Sequence, residues 1–221
     1  MLRKETVSDA LFGVLNRLMI LPDLSDHRLV GGTALALQIG HRISVDIDLF
    51  SASSSDYQII ENSIITEFQS EAKRNHYISS PLGKGISWLI EGVKVDMIDW
   101  KKAFVFPAIE TDGIRLANLQ EIASMKLDII TSPPEFIRYE KKDFVDLAFL
   151  MDELSLSEII SLFRKSNPET AFPDRIVAEA LQMAELADKK PDPKMLKHLP
   201  WEDAKSKINE AVRNYLLKPE D

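Results

Sequence analysis

The stretch from Gly31 to Phe50 gathers the residues best able to do chemistry: Gly31-Gly32-Thr33, then Arg42, Ser44, Asp46 and Asp48. The alternation from Ser44 to Phe50 predicts a strand, with Val45, Ile47 and Leu49 toward a core and Ser44, Asp46 and Asp48 away from it. Residues two apart on a strand leave the same face, about 7 Å apart. Two carboxylates so placed repel each other unless a cation sits between them. An all-oxygen donor set of this kind suits Mg²⁺ or Mn²⁺. Just upstream, Leu29-Val30 reads as a short strand running into the glycines. Ala34 to Ile39 follow as a helix, with Gly40 as its C-cap. The glycines let a ligand approach the backbone closely. The helix N-terminus offers free N–H groups and a positive dipole end to a phosphate, and Thr33 adds a hydroxyl donor. A phosphate cradle followed closely by a metal-binding pair describes a nucleoside triphosphate site.

A third carboxylate is expected from a neighbouring strand, and Lys94-Val95-Asp96-Met97-Ile98-Asp99 supplies two candidates. Their odd spacing puts Asp96 and Asp99 on opposite faces, so only one can join Asp46 and Asp48. Asp96, flanked by apolar Val95 and Met97, is the choice.

The elements that must position these groups can be read along the chain. Residues 3–21 carry Val7, Leu11, Val14, Leu15 and Leu18 at helical spacing, stopped by Pro22-Asp23. The Ser51–Ser55 turn leads into a helix over 56–72. Residues 77–80, 86–91 and 93–100 read as strands, the last two joined tightly at Glu91-Gly92, with a short strand near 113–117. From Asn118 onward the periodicity is helical: one helix ending before Pro133-Pro134, then 136–151, 155–165, 173–187 and 201–217. The expected fold class is therefore α+β: a mixed, partly antiparallel sheet of four to six strands flanked by helices over residues 1–117, and a C-terminal helical bundle over 118–221.

Composition narrows the function classes. The chain has 221 residues, 45% hydrophobic and 28% charged, the balance of a folded protein. It has no cysteine, which removes thiol nucleophiles, thiolate metal sites and disulfides. The net charge of −8 argues against a protein that coats nucleic acid generally. No apolar run reaches the roughly 20 residues of a membrane span, and Met1–Asp9 lacks the apolar core of a signal peptide, so no membrane partner and a cytoplasmic location are expected.

These residues together resemble a known family. Gly31-Gly32-Thr33-Ala34-Leu35-Ala36-Leu37, then Gly40-His41-Arg42-Ile43-Ser44-Val45-Asp46-Ile47-Asp48-Leu49-Phe50, are similar to the signature of the AbiEii-type abortive-infection toxins, within the DNA-polymerase-β-like nucleotidyltransferase superfamily. Lys126 and Lys142-Asp143-Phe144-Val145-Asp146-Leu147 match the family's later lysine and its [KR]-D-x-x-D-L segment. The resemblance covers roughly residues 28–150. It implies a polymerase-β-like nucleotidyltransferase core, and an enzyme that moves a nucleoside monophosphate from a triphosphate to an acceptor. Asp46 and Asp48 would hold two magnesium ions, with Asp96 completing one of the two sites and helping to deprotonate the acceptor. Gly31, Gly32 and Thr33 would bind the triphosphate, with Arg42 and Ser44 supporting the phosphates or the strand. Lys126 would neutralise phosphate charge, and Lys142, Asp143 and Asp146 would line a cleft from the helical half. The implied partners are an NTP, an RNA acceptor (such as a tRNA 3′ end) or a protein acceptor, and a cognate antitoxin.

Blander readings stand beside these. Asp143 and Asp146 could be surface partners of Lys142 or Arg138. His41 could be structural, and Lys189, Lys190, Lys194 and Lys197 read best as a solvated loop. The whole fold could also persist as an inactive nucleotide-binding or regulatory protein, which the intact carboxylate set argues against.

Overall fold

The computed structural model describes residues 1–80, 83–132 and 139–217. Its contacts divide the chain into an α+β unit, Met1–Asn118, and a helical unit from Leu119 onward.

In the first unit, α1 (Asp9–Met19) starts where Ser8 caps it by accepting from the Leu11 amide at 3.1 Å. The residues before it form only a single 3-10 turn, so the helix is shorter than 3–21. Next come β1 (Arg28–Leu29), α2 (Gly31–Ile39), β2 (Asp46–Ser51), α3 (Tyr57–Phe68), β3 (Ala72–Ser80), β4 (Gly83–Ile90), β5 (Val93–Trp100), β6 (Ile109–Thr111) and β7 (Ile114–Leu116). These seven strands form one mixed sheet in the order β3-β4-β5-β2-β1-β7-β6. The pairs β2–β5 and β1–β7 are parallel, and the other pairs are antiparallel.

The sheet is one strand larger than the sequence suggested. β6 has three residues, too few to show alternation, and it pairs with β7 through Asp112-Gly113, both at positive φ as a tight hairpin turn requires. The helix expected over 56–72 stops at Phe68, because Gln69 takes φ +50, and Ala72 onward joins β3. Val45, expected toward the core, lies before β2 and is 67% exposed.

Ile47 and Leu49 of β2, Val95 and Met97 of β5 and Ile86 and Trp88 of β4 share one sheet face and are buried. Helices α1 and α3 cover it with Leu11, Leu15, Leu18, Ile60, Ile64 and Phe68. Arg17 ties the two helices, donating to Glu67 Oε1 at 2.8 Å and to the Glu67 carbonyl at 2.7 Å. Arg115 of β7 donates to the carbonyls of Met19, Leu24 and His27, pinning the segment that leads into β1. On the opposite face of β2 and β5, Asp46, Asp48, Lys94 and Asp96 are followed by buried Phe50, Ile98 and Trp100.

The helical unit contains α4 (Leu119–Ile130), α5 (Lys141–Leu150), α6 (Leu156–Ser166), α7 (Asp174–Ala180) and α8 (Trp201–Leu216). Of the helix expected over 136–151, residues 136–138 lie outside the described residues, as does Arg138, and α5 begins at Lys141. The helix expected over 173–187 breaks at Ala180 and continues as 3-10 turns through Ala187. Ile122, Leu127, Phe144, Leu147, Ile159, Phe163, Ile208 and Val212 form this unit's core. A reciprocal capping box between Ser155 and Glu158 fixes the start of α6.

Candidate active site

β2 is the axis of the site. It lies parallel to β5 in a register that sets Asp46 opposite Lys94 and Asp48 opposite Asp96. Paired residues of adjacent strands leave the same face, so these four side chains share one surface, while Ile47, Leu49, Val95 and Met97 fill the core behind them. Asp99 is on the other face, where its carboxylate accepts from the Ser55 amide at 3.0 Å and the Ser55 hydroxyl at 2.5 Å.

The glycine bend touches this surface. Gly31 has φ +68, and a Cβ built there would stand 3.2 Å from Asp48 Oδ2. The Asp48 carboxylate therefore rests against bare backbone at the start of α2. The N-cap residue of α2, Val30, provides no side-chain bond to the first amides. Gly31 and Gly32 are half-buried, with the helix N-terminus behind them.

Three of the expected binding residues hold the strand. Thr33 is buried, and its hydroxyl donates to the Asp46 carbonyl and lies 2.8 Å from Ser44 Oγ. The Ser44 amide donates to the Thr6 carbonyl at 2.8 Å. Arg42 Nη1 donates to the Ile43 carbonyl at 3.0 Å and lies 3.5 Å from Ser44 Oγ. The Thr33 hydroxyl, expected to face a phosphate, is committed to the segment that carries Asp46.

Asp96 is engaged at both oxygens. Ser87 of β4 donates to Oδ1 at 2.6 Å, and Lys94 Nζ donates to Oδ2. Burial draws the Lys94 pKa down, but the bond to Asp96 and the negative charges of Asp96, Asp48 and Asp46 outweigh it, and the net shift is upward. Sequence reasoning missed both partners. The two-residue rule applied to Asp46 and Asp48 also puts Lys94 beside Asp96. Counting outward from the Glu91-Gly92 turn puts Ser87 opposite Asp96.

Among the described residues, no group of three or more His, Asp or Glu side chains is gathered so as to hold one ion. The three carboxylates expected to bind metal share a face, but Asp96 turns both oxygens to Ser87 and Lys94. What fits a divalent cation on this surface is the half-buried oxygen pair of Asp46 and Asp48 beside Gly31.

In the helical unit, Lys126 of α4 is buried between two carboxylates of α5. Its Nζ lies 2.6 Å from Asp143 Oδ1 and 2.6 Å from Asp146 Oδ2. Their side chains are 4%, 5% and 0% exposed, so Asp143 and Asp146 are interior groups, not surface partners of Lys142. Lys142 itself is half-buried. His41 is fully buried, and no helix among the described residues is long and apolar enough to cross a membrane.

A family model described as "Nucleotidyl transferase AbiEii toxin, Type IV TA system" matches residues 14–216. A relative from Aquifex aeolicus (strain VF5), the uncharacterized protein aq_aa25, is 27% identical over 210 residues, covering 91% of this chain and 94% of the relative. Among solved structures, JHP933 of Helicobacter pylori superposes with a TM-score of 0.56 at 17% identity, covering 93% of this chain and 88% of that one. MenT4, a nucleotidyltransferase toxin of Mycobacterium tuberculosis H37Rv, superposes with a TM-score of 0.53 at 13% identity, covering 96% and 84%. At these identities the superpositions carry the fold, and the family match extends over most of the chain. The carboxylate strand, the glycine bend and the buried lysine thus sit in a chain that belongs to the AbiEii nucleotidyltransferase toxin family.

Proposed function

We propose that this nucleotidyltransferase is metal-dependent and transfers a nucleoside monophosphate from an NTP to a hydroxyl acceptor, RNA such as a tRNA 3′ end in the first place, releasing pyrophosphate. The observation that supports this most is the parallel register of β2 and β5, which sets Asp46, Asp48 and Asp96 on one face beside Gly31.

In this reading Asp46 and Asp48 hold a Mg²⁺ or Mn²⁺ ion, which when bound supplies charge stabilisation for the attacking and leaving oxygens. The amides at Gly31 and Gly32 receive the triphosphate at the start of α2, where the helix dipole favours anionic oxygen. Thr33, Arg42 and Ser44 keep the carboxylate strand at a fixed distance from that bend. Asp96, held by Ser87 and Lys94, is the base candidate for the acceptor hydroxyl. In the helical unit, the family resemblance marks Lys126 and Lys142 as functional residues, with Asp143 and Asp146 fixing the Lys126 ammonium. A cognate antitoxin is the expected protein partner, as in a toxin–antitoxin pair.

The test uses the intact chain with Mg²⁺ or Mn²⁺, total RNA and each NTP labelled in turn at the α or the γ phosphate. The reading expects α label on RNA and γ label in released pyrophosphate. Transfer of γ label to the acceptor means phosphoryl transfer and contradicts the reading. Label that migrates with protein and resists ribonuclease reassigns the acceptor.

A further inference from the structure

A cavity of about 190 Å³ opens at the other end of β1 from Gly31. Buried His27, which precedes β1, and buried Ser51, which ends β2, line its interior. Ser51 lies five residues beyond Asp46 on β2, roughly 17 Å along the strand. Exposed Asp23, Asp26 and Asp56 also line the cavity, and Ile59 and Ile60 of α3 give it an apolar wall. No lysine or arginine is among the lining residues.

His27 sets this cavity apart from an acidic recess. It is 2% exposed, yet neither Nδ1 nor Nε2 has a hydrogen-bond partner in the protein. A polar group buried in this way costs stability unless something completes it. Burial holds the ring's pKa below its ordinary 6.5; Asp99 and Asp26 oppose that shift and Arg115 adds to it. At neutral pH the ring is therefore uncharged and offers a lone pair to a donor. Two of the carboxylates are already fixed in place: Asp23 accepts from the Ser63 hydroxyl, and Asp56 caps α3 by accepting from the Gln58 and Ile59 amides. A lone pair, carboxylates and serine hydroxyls are all acceptors, and they repel an anion. Among the described residues no three His, Asp or Glu side chains gather to hold a metal ion. The volume is below the roughly 300–1,000 Å³ of sites for larger ligands. What matches is a small cation with several N–H donors and a short apolar stem.

We propose that this cavity is a second binding site, separate from the transfer site, that takes a small aliphatic amine: the ammonium donates to His27 and the carboxylates, and the methylenes lie against Ile59 and Ile60.

The experiment titrates the full chain with diaminobutane by calorimetry, with butanediol as the uncharged control of the same length. Salt at about 0.15 M screens loose attraction to the acidic surface. Heteronuclear NMR follows the rings of the four histidines, with His27 assigned by its loss in His27→Leu. The expected result is one diaminobutane per chain, a shift of the His27 ring and no binding of butanediol. Asp26→Asn is expected to weaken binding about fivefold, the effect of one unit charge at about 4 Å in a water-like dielectric. His27→Leu is expected to weaken it further. Thermal melts check folding; if His27→Leu does not fold, the exposed Asp26 variant and the ring shift carry the test. Equal binding of butanediol overturns the ammonium assignment. No saturable binding of diaminobutane overturns the proposal, as does binding that leaves the His27 ring unmoved and is indifferent to Asp26→Asn.

Discussion

Lys126→Met tests the interior ion group of the helical unit. The ammonium has a carboxylate at 2.6 Å on each side, and all three side chains are at most 5% exposed. Replacing it with a side chain of similar length removes the ammonium that the two buried carboxylates share. Removing one partner of a buried pair costs about 3–5 kcal/mol, against about 0–1 kcal/mol for an exposed pair. For a chain of this size that corresponds to a fall in melting temperature on the order of 10 °C. Urea unfolding followed by circular dichroism at pH 7 measures it. The triple change Lys126→Met, Asp143→Asn, Asp146→Asn removes all three charges and is expected to recover most of the loss. A loss below about 1 kcal/mol for Lys126→Met alone would show that water screens the group, and would refute the interior placement.

Other perturbations follow from the same geometry. Gly31→Ala forces a side chain into φ +68 with its Cβ 3.2 Å from Asp48 Oδ2, so nucleotide transfer should fall sharply, with a stability loss of about 1–2 kcal/mol by thermal melt. Thr33→Val removes the buried donor to the Asp46 carbonyl and should cost about 1–3 kcal/mol, with Thr33→Ser restoring most of it in urea titrations. Burial lowers the His27 pKa below its ordinary 6.5, partly offset by the charges of Asp99 and Asp26. The unfolded chain therefore binds the extra proton first, and stability falls as pH drops through about 6.5. His27→Leu should flatten that limb in melts between pH 7.5 and 5.5.

Much of the carboxylate strand was legible because a buried face enforces alternation: Ile47 and Leu49 had to point inward, which sent Asp46 and Asp48 outward together. Gly40 was legible as a C-cap, and it takes φ +70 there. What could not be read came from partners distant in sequence. The Thr33 hydroxyl looks like a phosphate donor until Ser44 and the Asp46 carbonyl are brought beside it. Lys126, Asp143 and Asp146 look like surface charges until α4 and α5 pack together. The polar run Lys73-Arg74-Asn75-His76 gives no strand periodicity because β3 is an edge strand, and its register with β4 slips between Arg74 and His76. Val45 followed the alternation on paper, but the strand begins one residue later, so nothing buries it.

In the proposed function, the Asp46–Asp48 face of β2 carries the transfer chemistry. The most direct measurement is the rate of α-labelled nucleotide incorporation into RNA by the unaltered chain, Asp46→Asn and Asp48→Asn, under saturating Mg²⁺ and with melting temperature recorded for each. Incorporation should fall by at least about a hundredfold in both variants, with melting temperatures unchanged or raised as the repelling pair is relieved. Incorporation that survives either substitution in a folded protein would contradict the account.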